Sequence, residues 1–152
     1  MTEIRFYHLT QKPLEAVLPV MLERAVNRDN RRAVVMAASN ERVEALNVHL
    51  WAYDDRGFLP HGSHADGHAG LQPVWLTVDD EIPNGATVLF LTDGRQSALL
   101  NEVELVCDLF DGNDPAAIEA ARNRWRLCKD AGHALTYWQQ TERGGWERKA
   151  DG

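Results

Sequence analysis

Residues 32–38 of the chain read RAVVMAA, an apolar and β-branched run with a single charged residue at its start. Strands of this composition are buried on both faces, as in parallel sheets that helices cover. Helical patterns flank the run, because apolar side chains recur three and four positions apart over residues 13–27 and over residues 40–51. A helix, a strand and a helix in succession predict an α/β fold.

The same alternation continues toward both ends of the chain. A first strand is predicted over residues 3–9, EIRFYHL, and a third helix between Asn113 or Asp114 at its N-cap and Gly132 after its end. Further strands are predicted over residues 73–77, 86–93, 103–110 and 133–140. We therefore predict one α/β domain over residues 1–142, with a mostly parallel sheet and helices on both faces. A flexible tail is expected over residues 143–152.

The composition is that of an ordinary globular domain with an acidic surface. The 152 residues include 23 Asp and Glu against 16 Lys and Arg, which gives a net charge of −7. Such a surface repels phosphate backbones, so we expect no direct DNA binding. The sequence shows neither a membrane-length apolar run nor a signal peptide. Cys107 and Cys128 are expected to be reduced thiols, which favours a cytoplasmic location.

The loop after the first strand lacks the chemistry that α/β folds usually carry there. In nucleotide-binding α/β proteins a glycine-rich turn follows the first strand and cradles phosphate. Here the position holds Thr10, Gln11, Lys12 and Pro13, and neither GxGxxG nor GxxxxGK[ST] occurs in the chain. The nucleophile motif GxSxG is absent as well. We expect a Rossmann-like fold without a nucleotide site, a cofactor or catalytic residues.

A histidine-rich loop is the one candidate for metal chemistry. His61, His64 and His68, with Asp66 between them, supply three imidazoles and a carboxylate, which is a plausible zinc set. The loop is rich in glycine and has no periodicity, so nothing in the pattern holds ligands in place. We interpret it as a solvated loop without a metal; the alternative is a metal-dependent hydrolase built on these histidines.

Two other features resemble recognition surfaces. The first is an aromatic and proline-containing segment that leaves the second helix: Trp51, Phe58, Leu59 and Pro60. The second is a basic stripe on the third helix, formed by Arg122, Arg126 and Lys129 at spacings of four and three. The alternatives are that the aromatic residues belong to the core and that the stripe is an ordinary solvated helix face.

Six segments carry a family resemblance: EIRFYHL (3–9), ALNVHLWAYDDRGFLPHG (45–62), PVWLT (73–77), VLFLTDG (88–94), VCDLFDG (106–112) and ARNRWRLCKDAGHALTYWQ (121–139). The stretch LWAYDDRGFLPH is the most specific, because a Trp followed by FLPH at this spacing is not a general α/β feature. Over residues 1–142 the chain resembles the chi subunit family of bacterial DNA polymerase III holoenzyme.

The resemblance implies a non-catalytic clamp-loader subunit in DNA replication with two protein partners. One partner is the psi subunit, and the other is the acidic C-terminal tail of single-stranded DNA-binding protein. By position, the residues that match the psi-facing segment of the family are Trp51, Phe58, Leu59 and Pro60. The residues that match its tail-facing site are the cations Arg122 and Arg126, together with Phe110, Ile118 and Tyr137 near an apolar pocket.

Overall fold

The computed structural model describes residues 2–52 and 60–151, with the backbone alone for Asp151. Within these residues the strands are β1 Glu3–Leu9, β2 Ala33–Met36, β3 His61–Ser63, β4 Val74–Thr77, β5 Val88–Leu91, β6 Leu105–Asp111, β7 Ala134–Gln140 and β8 Trp146–Asp151. The α-helices are α1 Leu14–Glu23, α2 Asn40–Ala52 and α3 Pro115–Asp130, and a π-helical turn, Arg24–Arg28, continues α1. No helix in this described part is long and apolar enough to span a bilayer.

All the strands belong to one sheet with the order β3-β4-β2-β5-β6-β1-β7-β8. Every neighbouring pair runs parallel except β7 and β8, which are antiparallel. The run that predicted a doubly covered strand forms β2, whose four residues are completely buried. The predicted mostly parallel α/β sheet is therefore confirmed.

Helices cover both faces of the sheet, and β2 shows why. Its side chains alternate, so Val35 packs into the core that receives Leu18 of α1 and Leu46 of α2. Val34 packs into the opposite core, which receives Ala121 of α3. Two separate hydrophobic layers thus hold the helices against the sheet, and the burial of their apolar area drives this arrangement.

The connections that leave the neighbouring parallel strands β1 and β6 run in opposite directions across the sheet. From β1 the chain passes through α1 to β2, towards the β3 edge of the sheet. From β6 it passes through α3 to β7, towards the β8 edge. The loops that leave the carboxyl ends of β1 and β6 therefore diverge and open a crevice between them. In open α/β sheets this switch point is the usual ligand position.

Two strands were not predicted from the sequence. Strand β3 lies in the region interpreted as a long loop, and it forms because His61 to Ser63 pair with Val74 to Leu76 of β4. Strand β8 lies in the expected tail and pairs with β7, while its Trp146 ring packs edge-on against Tyr7 at 4.9 Å. The segment expected to be flexible over residues 143–152 therefore contributes an edge strand.

Candidate functional site

The crevice at the switch point has a volume of about 760 Å³, and the loop after β1 that borders it has its backbone N–H groups bonded within the protein. The backbone N–H groups of Thr10, Gln11 and Lys12 all donate to Oε1 of Gln140, at 3.1, 3.0 and 3.1 Å. Gln140 ends β7 and is only 4% exposed. The N–H groups that bind phosphate in nucleotide-binding relatives of this fold class are thus satisfied internally.

Two arginines that line this crevice, Arg42 and Arg124, are tied to acidic partners. Arg42 lies 3.4 Å from a carboxylate oxygen of Glu15 and 3.2 Å from one of Asp93. The hydrogen bond that Arg42 donates to Asp93 raises the pKa of the Arg42 guanidinium, and this effect outweighs the opposing effect of burial. These contacts bind the cation to the fold and leave it a poor anchor for a ligand.

Arg124, deeper beside the crevice, forms a buried ion pair with Asp108. Its Nε and Nη2 donate to the two carboxylate oxygens of Asp108 at 2.7 and 2.9 Å, and the residues are 5% and 3% exposed. Burial raises the pKa of Asp108, and the bonds from Arg124 oppose that rise. The geometry is bidentate and fixes α3 to the centre of the sheet.

A second hollow, the α3–β7 groove, differs because its two arginines form no ion pair among the described residues. It has a volume of about 670 Å³ and is lined by His8, Arg122, Trp125, Arg126, Tyr137, Gln139, Lys149 and Ala150. Arg122 and Arg126 are exposed, and within the described residues neither forms an ion pair. Arg126 donates only to the amide oxygen of Asn123, at 3.3 Å, and Lys149 lies 3.3 Å from Glu147.

The floor of the groove is aromatic. The Trp125 and Tyr137 rings meet edge-on at 5.8 Å, and Trp125 also packs edge-on against Phe6 at 5.4 Å. Phe110 lies beneath Tyr137, with ring centroids 6.0 Å apart. This arrangement places apolar surface next to two unneutralised guanidinium groups, which suits a ligand that is both anionic and aromatic.

His8 sets the position of Tyr137 at one end of the groove. Its Nε2 lies 3.2 Å from the carbonyl oxygen of Gly112, and its Nδ1 lies 2.7 Å from the Tyr137 hydroxyl. A carbonyl oxygen can only accept, so Nε2 carries the proton and Nδ1 accepts from Tyr137. Residue 112 must be glycine, because a Cβ there would lie 1.9 Å from the His8 ring.

Burial raises the pKa of Tyr137, and the nearby charge of Arg122 opposes that rise. The electrostatic influence of Arg122 therefore reaches the floor of the groove. The Tyr137 hydroxyl is bonded to His8, and the Tyr137 ring contributes aromatic surface to the floor of the groove.

The predicted tail-facing residues occupy different positions around this groove. Arg122, Arg126 and Tyr137 line it, whereas Phe110 and Ile118 do not. Phe110 is buried below the floor and Ile118 packs against the adjoining core. Sequence reasoning did not assign His8 and Lys149 to the site, because they lie on β1 and β8, far from α3 in the chain. Trp125, which lines the groove from α3, was not assigned to the site from the sequence either.

The predicted aromatic segment begins on an exposed face of α2. Trp51 is 60% exposed and Val48, one turn earlier, is 64% exposed, so the core interpretation is wrong for Trp51. The Trp51 ring packs on His61 with centroids 4.2 Å apart, which holds the indole at the surface. Pro60 is half-buried, and Phe58 and Leu59 lie outside the described residues.

The structure does not bring the three loop histidines together. His61 is buried with Nε2 at 3.1 Å from the Asn47 carbonyl, and His68 is exposed with a positive φ of 56°. His64 turns instead toward Asp79 and Glu81, the one metal-compatible group among the described residues. The metal set His61, His64 and His68 is therefore wrong, and the hydrolase built on it has no geometric basis.

Together these features define a doubly wound α/β domain in which a glutamine accepts the amides of the loop after β1 and an open groove carries two arginines without acidic partners among the described residues. Its sequence matches the family described as "DNA polymerase III chi subunit, HolC" over residues 1–136, and the chain belongs to that family. A curated relative, "Probable DNA polymerase III subunit chi" of Rickettsia prowazekii (strain Madrid E), is 26% identical over 110 residues. That match covers 72% of this chain and 66% of the relative. Family membership indicates an accessory role in DNA replication.

Proposed function

We propose that this chain is a non-catalytic subunit that connects the clamp loader to single-stranded DNA-binding protein in the cytoplasm. It binds the psi subunit with one surface and the acidic C-terminal tail of single-stranded DNA-binding protein with another. Direct contact with DNA plays no part, because the net charge is −7. The observation that carries the proposal is the α3–β7 groove, where Arg122 and Arg126 stand without acidic partners beside aromatic rings.

The groove fits the chemistry of an acidic peptide that ends in a Phe carboxylate. Each guanidinium can bind a carboxylate through two parallel N–H donors, which a lysine cannot match. A partly exposed charge pair at 4 Å is worth roughly 1–4 kcal/mol before desolvation. The terminal ring packs on Trp125 and Tyr137, whose faces form the floor between α3 and β7.

A peptide titration tests this site directly. Arg122→Ala and Arg126→Ala should each weaken binding of a short Asp-rich peptide ending in Phe by about tenfold, the loss of one charge-assisted contact. Added salt should weaken wild-type binding in the same direction. Lys129→Ala is the matched control, because Lys129 is exposed on the same helix but does not line the groove. Wild-type affinity in both arginine variants contradicts the site.

The exposed face of α2 is the surface that we assign to the psi subunit. Trp51 and Val48 lie one turn apart and present a large apolar area that the fold itself does not cover. A surface Trp held in place by a stacked ring has the properties of an interface anchor.

Co-purification with the psi subunit tests this second surface. Trp51→Ala should weaken the complex by about 2 kcal/mol or more, as expected for an anchor residue. Leu71→Ala is the control, because Leu71 is also a large exposed apolar residue, at 74%, but lies near β4 rather than on α2. An equal effect of the two substitutions contradicts the assignment of α2.

A further inference from the structure

The geometry points to a divalent-metal site formed by His64, Asp79 and Glu81, with zinc as the ion that it fits. One ligand atom from each of these residues lies within 4.8 Å of the others. The site is independent of both protein-binding surfaces proposed above. It also differs from the loop-histidine set, since two of its three ligands come from another loop.

The sheet topology brings the three side chains together. His64 follows Ser63 at the end of β3, and Asp79 and Glu81 follow Thr77 at the end of β4. The two strands are parallel neighbours with Ser63 opposite Leu76, so both loops leave the same edge of the sheet. As a result, His64 Nε2 lies 2.8 Å from Glu81 Oε1 and 3.3 Å from Asp79 Oδ2.

Buried donors of β4 hold Glu81 in place. The indole Nε1 of Trp75 donates to Glu81 Oε1 at 2.9 Å, and the Thr77 hydroxyl donates to the same oxygen at 3.1 Å. Both donors are almost fully buried, which limits their movement. Metal-binding carboxylates are commonly oriented by such outer hydrogen bonds. Among the described residues no hydrogen bond reaches Oε2 of Glu81, so this oxygen remains available to an ion.

The charge balance of the cluster favours a cation. Two carboxylates share one imidazole, and among the described ion pairs neither Asp79 nor Glu81 contacts a lysine or an arginine. A divalent ion between the three groups would offset the charge of the two carboxylates.

Zinc matches the ligand set and the spacing. It accepts imidazole nitrogen and carboxylate oxygen at about 2.0–2.2 Å in tetrahedral geometry, which separates ligand atoms by roughly 3.3 Å. His64 Nε2 and Asp79 Oδ2, 3.3 Å apart, already have this separation, and one ligand atom of each of the three residues lies within 4.8 Å of the others. Water completes the fourth position.

Calorimetric titration of the chelator-treated chain with zinc chloride tests the site. We expect one zinc ion per chain, with affinity reduced at least about tenfold in His64→Ala and in Glu81→Gln. His68→Asn is the matched control, because His68 is exposed in the same loop and Asn tolerates its positive φ. Absence of binding in the wild type, or equal losses in the control and the ligand variants, overturns the proposal.

Thermal unfolding provides a second readout that does not depend on heats of binding. Zinc bound to the folded state raises the melting temperature of the wild-type chain, because the ion joins the loops after β3 and β4. The rise should disappear in His64→Ala and persist in His68→Asn. A rise that is equal in all three proteins places the zinc elsewhere and overturns the assignment.

Discussion

The switch-point crevice and the α3–β7 groove both border helix α3, and the arginines that line them differ in their partners. At the switch-point crevice Arg124 is buried against Asp108 and Arg42 is held between Glu15 and Asp93. In the α3–β7 groove Arg122 and Arg126, on the same helix as Arg124, are exposed and have no acidic partner among the described residues. The comparison shows that an arginine's role follows from the helix face that it occupies. One face supplies structure, and the other remains available to a partner.

The buried pair at the crevice should give the largest effect. Asp108→Ala leaves the Arg124 charge buried without a counter-ion and should lower the free energy of unfolding by about 3–5 kcal/mol. Urea denaturation measures this loss. Adding Arg124→Leu to the same protein should restore part of it, because the uncompensated charge is then gone. A loss below about 1 kcal/mol would be the value of a surface ion pair and would remove the contrast with the groove.

Substitution of Gln140, whose side chain accepts the amides of the loop after β1, should give the next largest effect. Gln140→Ala removes the acceptor of the Thr10, Gln11 and Lys12 amides and should cost about 2 kcal/mol of unfolding free energy. Gln140→Glu is the control, since a carboxylate can accept the same three bonds. Equal destabilisation by both substitutions would show that packing of the side chain, and not its oxygen, stabilises the loop.

The groove arginines should hardly affect folding. Arg122→Ala and Arg126→Ala are expected to change the free energy of unfolding by less than about 0.5 kcal/mol, because exposed side chains without partners contribute little. The urea experiment used for Asp108→Ala serves as the direct comparison. A destabilisation near that of Asp108→Ala would mean that these cations are structural and would contradict the proposed tail site.

The smallest effect concerns the ionisation of Tyr137. The positive charge of Arg122 stabilises the Tyr137 phenolate, so Arg122→Ala should raise the pKa of Tyr137 further above its ordinary value. Ultraviolet difference absorption during alkaline titration follows the phenolate, with Tyr137→Phe to identify its signal. A fall in this pKa would show that Arg122 does not act on the floor of the groove.

The layered fold could be predicted from the sequence because its main elements carry strong local patterns. Strand β1 was predicted with its observed bounds. The ends of α3 were predicted from Asp114, whose side chain accepts a hydrogen bond from the Ala116 N–H as the N-cap, and from Gly132. Strand β3 could not be predicted, since HGS has no periodicity and becomes a strand only beside β4. Strand β8 has the polar sequence WERKAD, which is typical of an exposed edge but equally of a loose tail.

The charged residues could be predicted only in part. Arg122 and Arg126 follow from helical spacing, whereas the role of Arg124 depends on its pairing with Asp108 in β6. A signal for this pair existed, because Asp108 interrupts an apolar strand and Arg124 shares the inner face of α3 with Ala121 and Cys128. No local pattern marks Gln140 or the meeting of His64 with Glu81, since both contacts join segments that are distant along the chain.

The central place of β1 has a consequence for the synthesis of the protein on the ribosome. This first strand pairs with β6 and β7, and Thr10 in the loop that follows it bonds to Gln140, 130 positions later. Strand β1 therefore cannot complete its pairing until β6 and β7 have left the ribosome. Contacts between residues so distant in sequence slow folding and prolong the exposure of hydrophobic nascent segments to solvent. Strand β1 is thus among the last elements to complete its pairing, and a chaperone that binds it during translation should increase the yield of native protein.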